Sequence, residues 1–405
     1  MIRLRPEITG VVESPLVQIA TLAEQMPGSL KLCYGESDMP TPEFICRAAD
    51  EAVRAGHTFY THTAGCPELR EAIALKVFEL HGVTFRPSEV MATVGASMGI
   101  FTAIRACAGQ GDNVVVISPA YAIFVNGVVI SGAEPRPVPL INDGRRFRLD
   151  LQRVADTIDA STRMLIVNSP SNPTGWTISV DEQRALYELA EHHNLVILAD
   201  EVYERLVYQA GANRQVGANL QVGTVAPSFA RIAANKDRVI IVNSFSKTYN
   251  MTGWRLGWAQ SGEKMIRTMY KAAEFITSNP SAMVQQAGIV ALRDGEPYVA
   301  ELREHYAQRR AQIVSAIAAM KGVALTEPEG AFYAFPRIDG LVDSAAFAEK
   351  LVRDTGVAVA PGACFGADGE GHIRICFAAS ENVLANALAR FDRYMSQRSD
   401  SAIGV

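Results

Sequence analysis

The stretch Arg238–Gln260, RVIIVNSFSKTYNMTGWRLGWAQ, constrains this chain more than any other. The run Val239–Val242 is short, apolar and β-branched, which specifies a strand buried on both faces. It ends in Ser244, Phe245, Ser246 and Lys247, and Arg255 follows after Gly253 and Trp254. In an open α/β sheet, ligands sit outside the carboxyl ends of the strands, so Lys247 is expected at a binding crevice. A lysine amine that is desolvated or near other cations has a lowered pKa and can form a Schiff base with an aldehyde. Ser244 and Arg255 carry a hydroxyl and a bidentate guanidinium, groups that suit a phosphate. Taken alone, Lys247 could equally be a surface lysine snorkelling past a strand end.

Four more apolar runs finish in turns of similar promise. VMATV leads to Gly95, Ala96 and Ser97, with a helix expected from near Ser97, and backbone N–H groups at a helix start attract phosphate. The spacing fits neither the dinucleotide nor the nucleoside-triphosphate fingerprint. VVVIS runs into SPAY, where Tyr121 could stack on a planar ring or pack in the core. RMLIV is followed by Asn168 and by Asn172 in a turn through Pro173 and Gly175. LVILAD ends in Asp200, either a helix cap or a site carboxylate, with Tyr203 three residues on. If the five runs lie parallel in one sheet, all five turns open on the same edge.

Elsewhere, helices are expected from Pro42 to about Ala55, from Pro67 to Gly82, from Val180 to His193, over about Ser281–Met320 and near Ser344–Thr355. Residues 1–32 read as an arm or partial helix, and 209–236 as a long excursion. Arg374 sits on an alternating strand, facing opposite to Ile373 and Ile375. The 405 residues suggest roughly two or three domains. With 48% hydrophobic residues, a net charge of −5 and a pI near 5.9, the chain reads as a soluble globular protein without affinity for nucleic acid. No signal-peptide core or membrane span is evident, so the expected location is the cytoplasm. The six cysteines are scattered and read as reduced thiols, and no metal-site spacing is present.

The S-x-S-K and G-W-R pattern around Lys247 resembles the cofactor-lysine segment of pyridoxal-phosphate-dependent aminotransferases of fold type I, class I/II, the aspartate aminotransferase-like group. Matching strings run in the family's order from Gly35 to Arg374: G-E-S-D-x-x-T-P, A-G-x-P-E-L-R, N-x-P-x-N-P-T-G and D-E-V-Y. The resemblance implies an α/β fold. Its large domain, residues 45–284, would hold a mainly parallel seven-stranded-type sheet flanked by helices. Residues 1–44 would give an N-terminal arm and part of a smaller α+β domain, completed by 285–405. It also implies pyridoxal 5′-phosphate, held as an internal aldimine on Lys247. Asp200 would face the pyridine nitrogen, Tyr203 and Asn172 the phenolic oxygen, and Tyr121 the ring. Gly95, Ala96, Ser97, Ser244 and Arg255 would surround the phosphate. Tyr60 would reach the neighbouring subunit's cofactor, making a homodimer with shared active sites.

Gly35, Asn172 and Arg374 would receive the substrate, with Arg374 clamping its carboxylate. Lys247, Asp200 and Tyr203 would be catalytic, Lys247 moving the Cα proton as an amino group passes from an L-amino acid to a 2-oxo acid. By themselves, Gly35 could be a turn glycine, Tyr60 a packing residue and Arg374 an edge-strand arginine facing solvent. Ser37 replaces the family's usual proline, and Ser97 stands where some aspartate aminotransferases carry a lysine for a distal carboxylate. A C–S β-lyase or another eliminating enzyme is the alternative reading. A non-catalytic pyridoxal-phosphate-binding regulator is a further one, disfavoured because no basic helix-turn-helix stretch stands ahead of Gly35.

Overall fold

The computed structural model describes residues 2, 4–11, 14–208 and 225–403, so residues 209–224 of the expected excursion lie outside the described residues. In chain order, the first long helix is α1 (Pro15–Gln25), followed by α2 (Glu43–Arg54) and α3 (Pro67–His81). The central part comprises β1 (Val90–Thr93), α4 (Gly95–Cys107), β2 (Asn113–Ser118), α5 (Ala122–Ile130) and β3 (Glu134–Pro139). It continues through β4 (Thr162–Asn168), α6 (Val180–His192), β5 (Val196–Asp200), β6 (Val239–Ser244), the single turn α7 (Phe245–Thr248), β7 (Gly257–Gln260) and α8 (Glu263–Glu274). The remainder is α9 (Ala282–Asp294), α10 (Glu296–Ala318), β8 (Tyr333–Ala334), α11 (Ser344–Thr355), β9 (Ala360–Pro361), β10 (Ile373–Cys376) and α12 (Glu381–Ile403).

Seven strands form one sheet in the order β1-β7-β6-β5-β4-β2-β3. Only β7 runs against its neighbours, β1 and β6, while the remaining adjacent pairs are parallel. All five runs singled out in the sequence therefore end on one edge. The alternation along each strand explains why these runs are apolar throughout. In β6, Val239 and Ile241 face a core built with α3, α6 and α9, whereas Ile240 and Val242 face a core built with α4, α5 and α8. A third core joins α1, α10, α11 and α12 to the small antiparallel sheet β8-β10-β9.

Two helix expectations are corrected. The stretch 281–320 is two helices, because Pro297 has no N–H to continue the ladder and Gly295 closes α9 by donating to the Ala291 carbonyl. The helix expected from near Ser97 begins two residues earlier, at Gly95. Arg374 does not face solvent: β10 is the central strand of its sheet and Arg374 is only 2% exposed. Among the described residues no helix is long and apolar enough to cross a membrane.

Candidate active site

The carboxyl edge of the large sheet opens into a cavity of about 340 Å³. Lys247 enters it from α7, the one-turn helix that Ser244 caps by accepting from the Ser246 amide at 3.1 Å. Its ammonium donates to the Gly35 carbonyl at 2.5 Å, and the Phe332 ring centroid lies 5.9 Å away. Burial pushes the Lys247 pKa down to about 8, so a substantial fraction of the amine is neutral near physiological pH.

Asp200 arrives at the end of β5, paired in register with Asn168 at the end of β4. The Asn168 amide donates to the Asp200 carbonyl at 3.1 Å and its side-chain oxygen accepts from the Asn172 amide at 2.7 Å, which ties the two strand ends together. Burial raises the Asp200 carboxyl to about 7, opposed by the Val202 amide, which donates to it at 3.1 Å. A carboxylate so desolvated is held ionised by a cationic N–H partner, the type of group a protonated ring nitrogen provides.

At the other pole, Arg255 adopts a left-handed backbone conformation with φ +54°, a strained state of the kind that collects at functional sites. Gly95, at φ +68°, leaves the space that this guanidinium fills, since a Cβ there would lie 2.3 Å from Arg255 Nη2. Ala96, Ser97 and Ser244 line the adjoining wall. The N-terminus of α4, one hydroxyl from each side and a guanidinium therefore converge, the donor set that suits a phosphate. Tyr121, 43% exposed, lines the cavity from the start of α5, and Tyr203 lines it from the segment after β5.

Arg374 closes the cavity from the small sheet. Its guanidinium donates to the Asn172 side-chain oxygen at 2.9 Å and to the Cys33 carbonyl at 2.5 Å, between the rings of Tyr333 and Phe365. Its Nε is buried and makes no hydrogen bond among the described residues.

The structure thus gathers Gly35, Ala96, Ser97, Tyr121, Asn172, Asp200, Tyr203, Ser244, Lys247, Arg255 and Arg374 around one cavity, with Gly95 directly behind Arg255. Tyr60 is apart from them, 92% exposed beside Phe59 and Met283. Leu16, Tyr34, Ile100, Asn168 and Val202, to which the sequence assigns no site role, also line the cavity, as does Tyr333. Asn168 was legible as the polar end of an apolar run. Leu16 carried no signal, because only the packing of α1 against the small sheet brings it there.

Residues 27–391 match the family model described as Aminotransferase class I and II. The chain is 34% identical to an aspartate aminotransferase of Pyrococcus horikoshii over 95% of each chain. It is 33% identical to aromatic-amino-acid aminotransferase 2 of Thermococcus litoralis, over 98% of this chain and 99% of the other. A solved structure of a Thermus thermophilus aspartate aminotransferase single mutant superposes with a TM-score of 0.88 at 33% identity, covering 97% of this chain and 100% of that one.

Proposed function

Because this chain belongs to the class I and II aminotransferases, we propose that the Lys247 cavity binds pyridoxal 5′-phosphate and that its residues carry out amino transfer between an L-amino acid and a 2-oxo acid. The observation that carries the reading is the convergence on one cavity of a depressed lysine, a buried carboxyl and two separate guanidinium sites. When bound, the cofactor supplies an aldehyde carbon and a ring able to hold the electron pair released at a substrate Cα.

The protein's own residues would divide the work. Arg255, Ser97, Ser244 and the amides at the start of α4 hold the phosphate. Asp200 would accept from the ring nitrogen and favour its protonated form, and Tyr203 and Asn172 would donate to the phenolic oxygen. Tyr121 covers the ring. Arg374 binds the substrate carboxylate in a two-pronged pair, beside Gly35 and Asn172, and so aims the Cα–H at Lys247. Lys247, its pKa lowered by burial, would take that proton and return it.

The smaller domain is proposed to comprise residues 1–44 and 285–405 around the 45–284 domain, a division supported by the third core. A homodimer is supported by the exposure of Phe59, Tyr60 and Phe275 at 81%, 92% and 88%, with Tyr60 completing the partner's phosphate site. The cytoplasm is the proposed location.

The test is Lys247→Ala. Purified in the presence of pyridoxal 5′-phosphate, the variant is expected to transfer amino groups about 10²–10⁴-fold more slowly than the parent protein. Multiple turnovers at the parental rate would refute the assignment.

A further inference from the structure

Tyr333 lies where three parts of the site meet. β8 holds it antiparallel to β10, with Tyr333 opposite Cys376 and Ala334 opposite Ile375, two and one residues beyond Arg374. The side chain is fully buried. Its hydroxyl oxygen is 2.6 Å from that of Tyr203, and its ring meets the Tyr203 ring edge-on at 5.6 Å. The Arg374 guanidinium lies 4.6 Å from the Tyr333 ring centroid. On the third side stands Gly35, where a Cβ would come within 2.3 Å of the Tyr333 oxygen. The backbone that accepts from Lys247 is therefore shaped around this hydroxyl.

We propose that Tyr333 is a positioning residue: its hydroxyl donates to the Tyr203 oxygen and so turns the Tyr203 O–H toward the cavity. Two hydroxyls sharing one hydrogen bond have one donor between them. Tyr203 lines the cavity, so with its proton turned to the ligand there, the 2.6 Å bond between the two oxygens is donated by Tyr333. With the bond in this sense, Tyr203 keeps its own proton for a ligand. A phenol that accepts one hydrogen bond is also polarised into a stronger donor of another.

The inference rests on the reading above in one respect, that Tyr203 donates to the cofactor's phenolic oxygen. That oxygen carries negative charge when the lysine–cofactor linkage is unprotonated, so a stronger donor lowers the pH at which the linkage loses its proton. Tyr333→Phe retains the ring, its edge contacts and its face toward Arg374, and removes only the donor.

The experiment is a pH titration of the visible absorption of the holoenzyme in four forms: parent, Tyr203→Phe, Tyr333→Phe and the double variant. The midpoint is expected to rise by about half a pH unit in Tyr333→Phe, the equivalent of one ordinary hydrogen bond weakened, and by more in Tyr203→Phe. Adding Tyr333→Phe to Tyr203→Phe should produce no further shift, because the effect passes through Tyr203. A Tyr333→Phe midpoint equal to the parent's, alongside a shifted Tyr203→Phe, overturns the inference and leaves the reading of Tyr203 standing. Additive shifts in the double variant also overturn it, since Tyr333 would then act independently. An unshifted Tyr203→Phe instead overturns the role of Tyr203 itself. Rates of cofactor release from the same four proteins provide a second readout: Tyr333→Phe should accelerate release only where Tyr203 is present.

Discussion

A carboxyl as deeply buried as that of Asp200 makes the cofactor-free protein sensitive to pH in a defined direction. Its folded-state pKa is raised from 3.8 to about 7. Below the lower value the folded and unfolded chains are both protonated. Between the two values the folded chain keeps a proton that the unfolded chain has released, so stability falls as pH rises through this window. Asp200→Asn removes the penalty. The cofactor-free variant is expected to melt a few °C above the parent at pH 8, with the difference closing toward pH 4. Melting curves across that range would contradict the account if the two proteins coincided at pH 8. Gly95 makes a second demand at this scale, because its positive φ and the 2.3 Å approach to Arg255 leave no room for a methyl group. Gly95→Ala should strain the turn and displace the guanidinium, weakening pyridoxal 5′-phosphate binding about tenfold or more, as equilibrium dialysis would read.

At the scale of elements, the first turn of α10 is fixed through charge to α3 and to the segment after β5. Glu296 accepts from both terminal nitrogens of Arg205, at 2.9 and 2.7 Å, and from Lys76 at 3.2 Å. The Arg205 side chain is 6% exposed and that of Glu296 is 44% exposed. Removing the acid therefore leaves a cation in a dry place, which costs more than an exposed pair would return. Glu296→Gln is expected to destabilise the protein by about 2–3 kcal/mol, measured by denaturant unfolding. Although burial opposes it, the two cations hold the Glu296 carboxyl down at about 2, below its ordinary 4.5. The pair's contribution is thus present above pH 4.5 and lost as pH falls toward 2, so the gap between variant and parent should narrow on acidification. A constant gap would show that the ion pair is not its source.

For the whole molecule, one chain builds a cavity yet leaves Tyr60 in solvent. If the partner's Tyr60 completes each site, the native mass is about twice the chain's 43.8 kDa, and the two defects can be separated on different chains. Refolded mixtures of Lys247→Ala and Tyr60→Ala chains should then recover activity absent from the Lys247→Ala homodimer and above that of the Tyr60→Ala homodimer, through hybrid dimers with one intact site. Mixtures no more active than the sum of their parts would refute site sharing.

How much of this could be read from the chain differs by residue. Val239–Val242 and its four counterparts announced a doubly covered sheet, because a strand buried on both faces has nowhere to place a polar side chain. The polar residues at and just beyond the ends of those runs, Asp200, Asn172 and Lys247 among them, mark the edge where a ligand would sit. α3 was legible from Pro67 to Gly82 because its cap residues are local signals, and Gly82 indeed ends it in the left-handed conformation. The break at Gly295 is equally local, because Gly295 and Pro297 in RDGEP are both helix breakers.

What the sequence determined by itself is therefore whatever depends on neighbours along the chain: strand type, helix ends, and the order in which polar residues meet the sheet edge. The tertiary structure decided what depends on distant segments meeting. It made Arg374 a buried guanidinium between two rings rather than an edge residue, brought Leu16 into the cavity from α1, and set the Tyr333 hydroxyl against that of Tyr203, 130 residues away in sequence. Burial, and with it the displaced pKa of Lys247 and Asp200, belongs to that second class. Desolvation is a property of everything that packs around a group, and no local spacing records it.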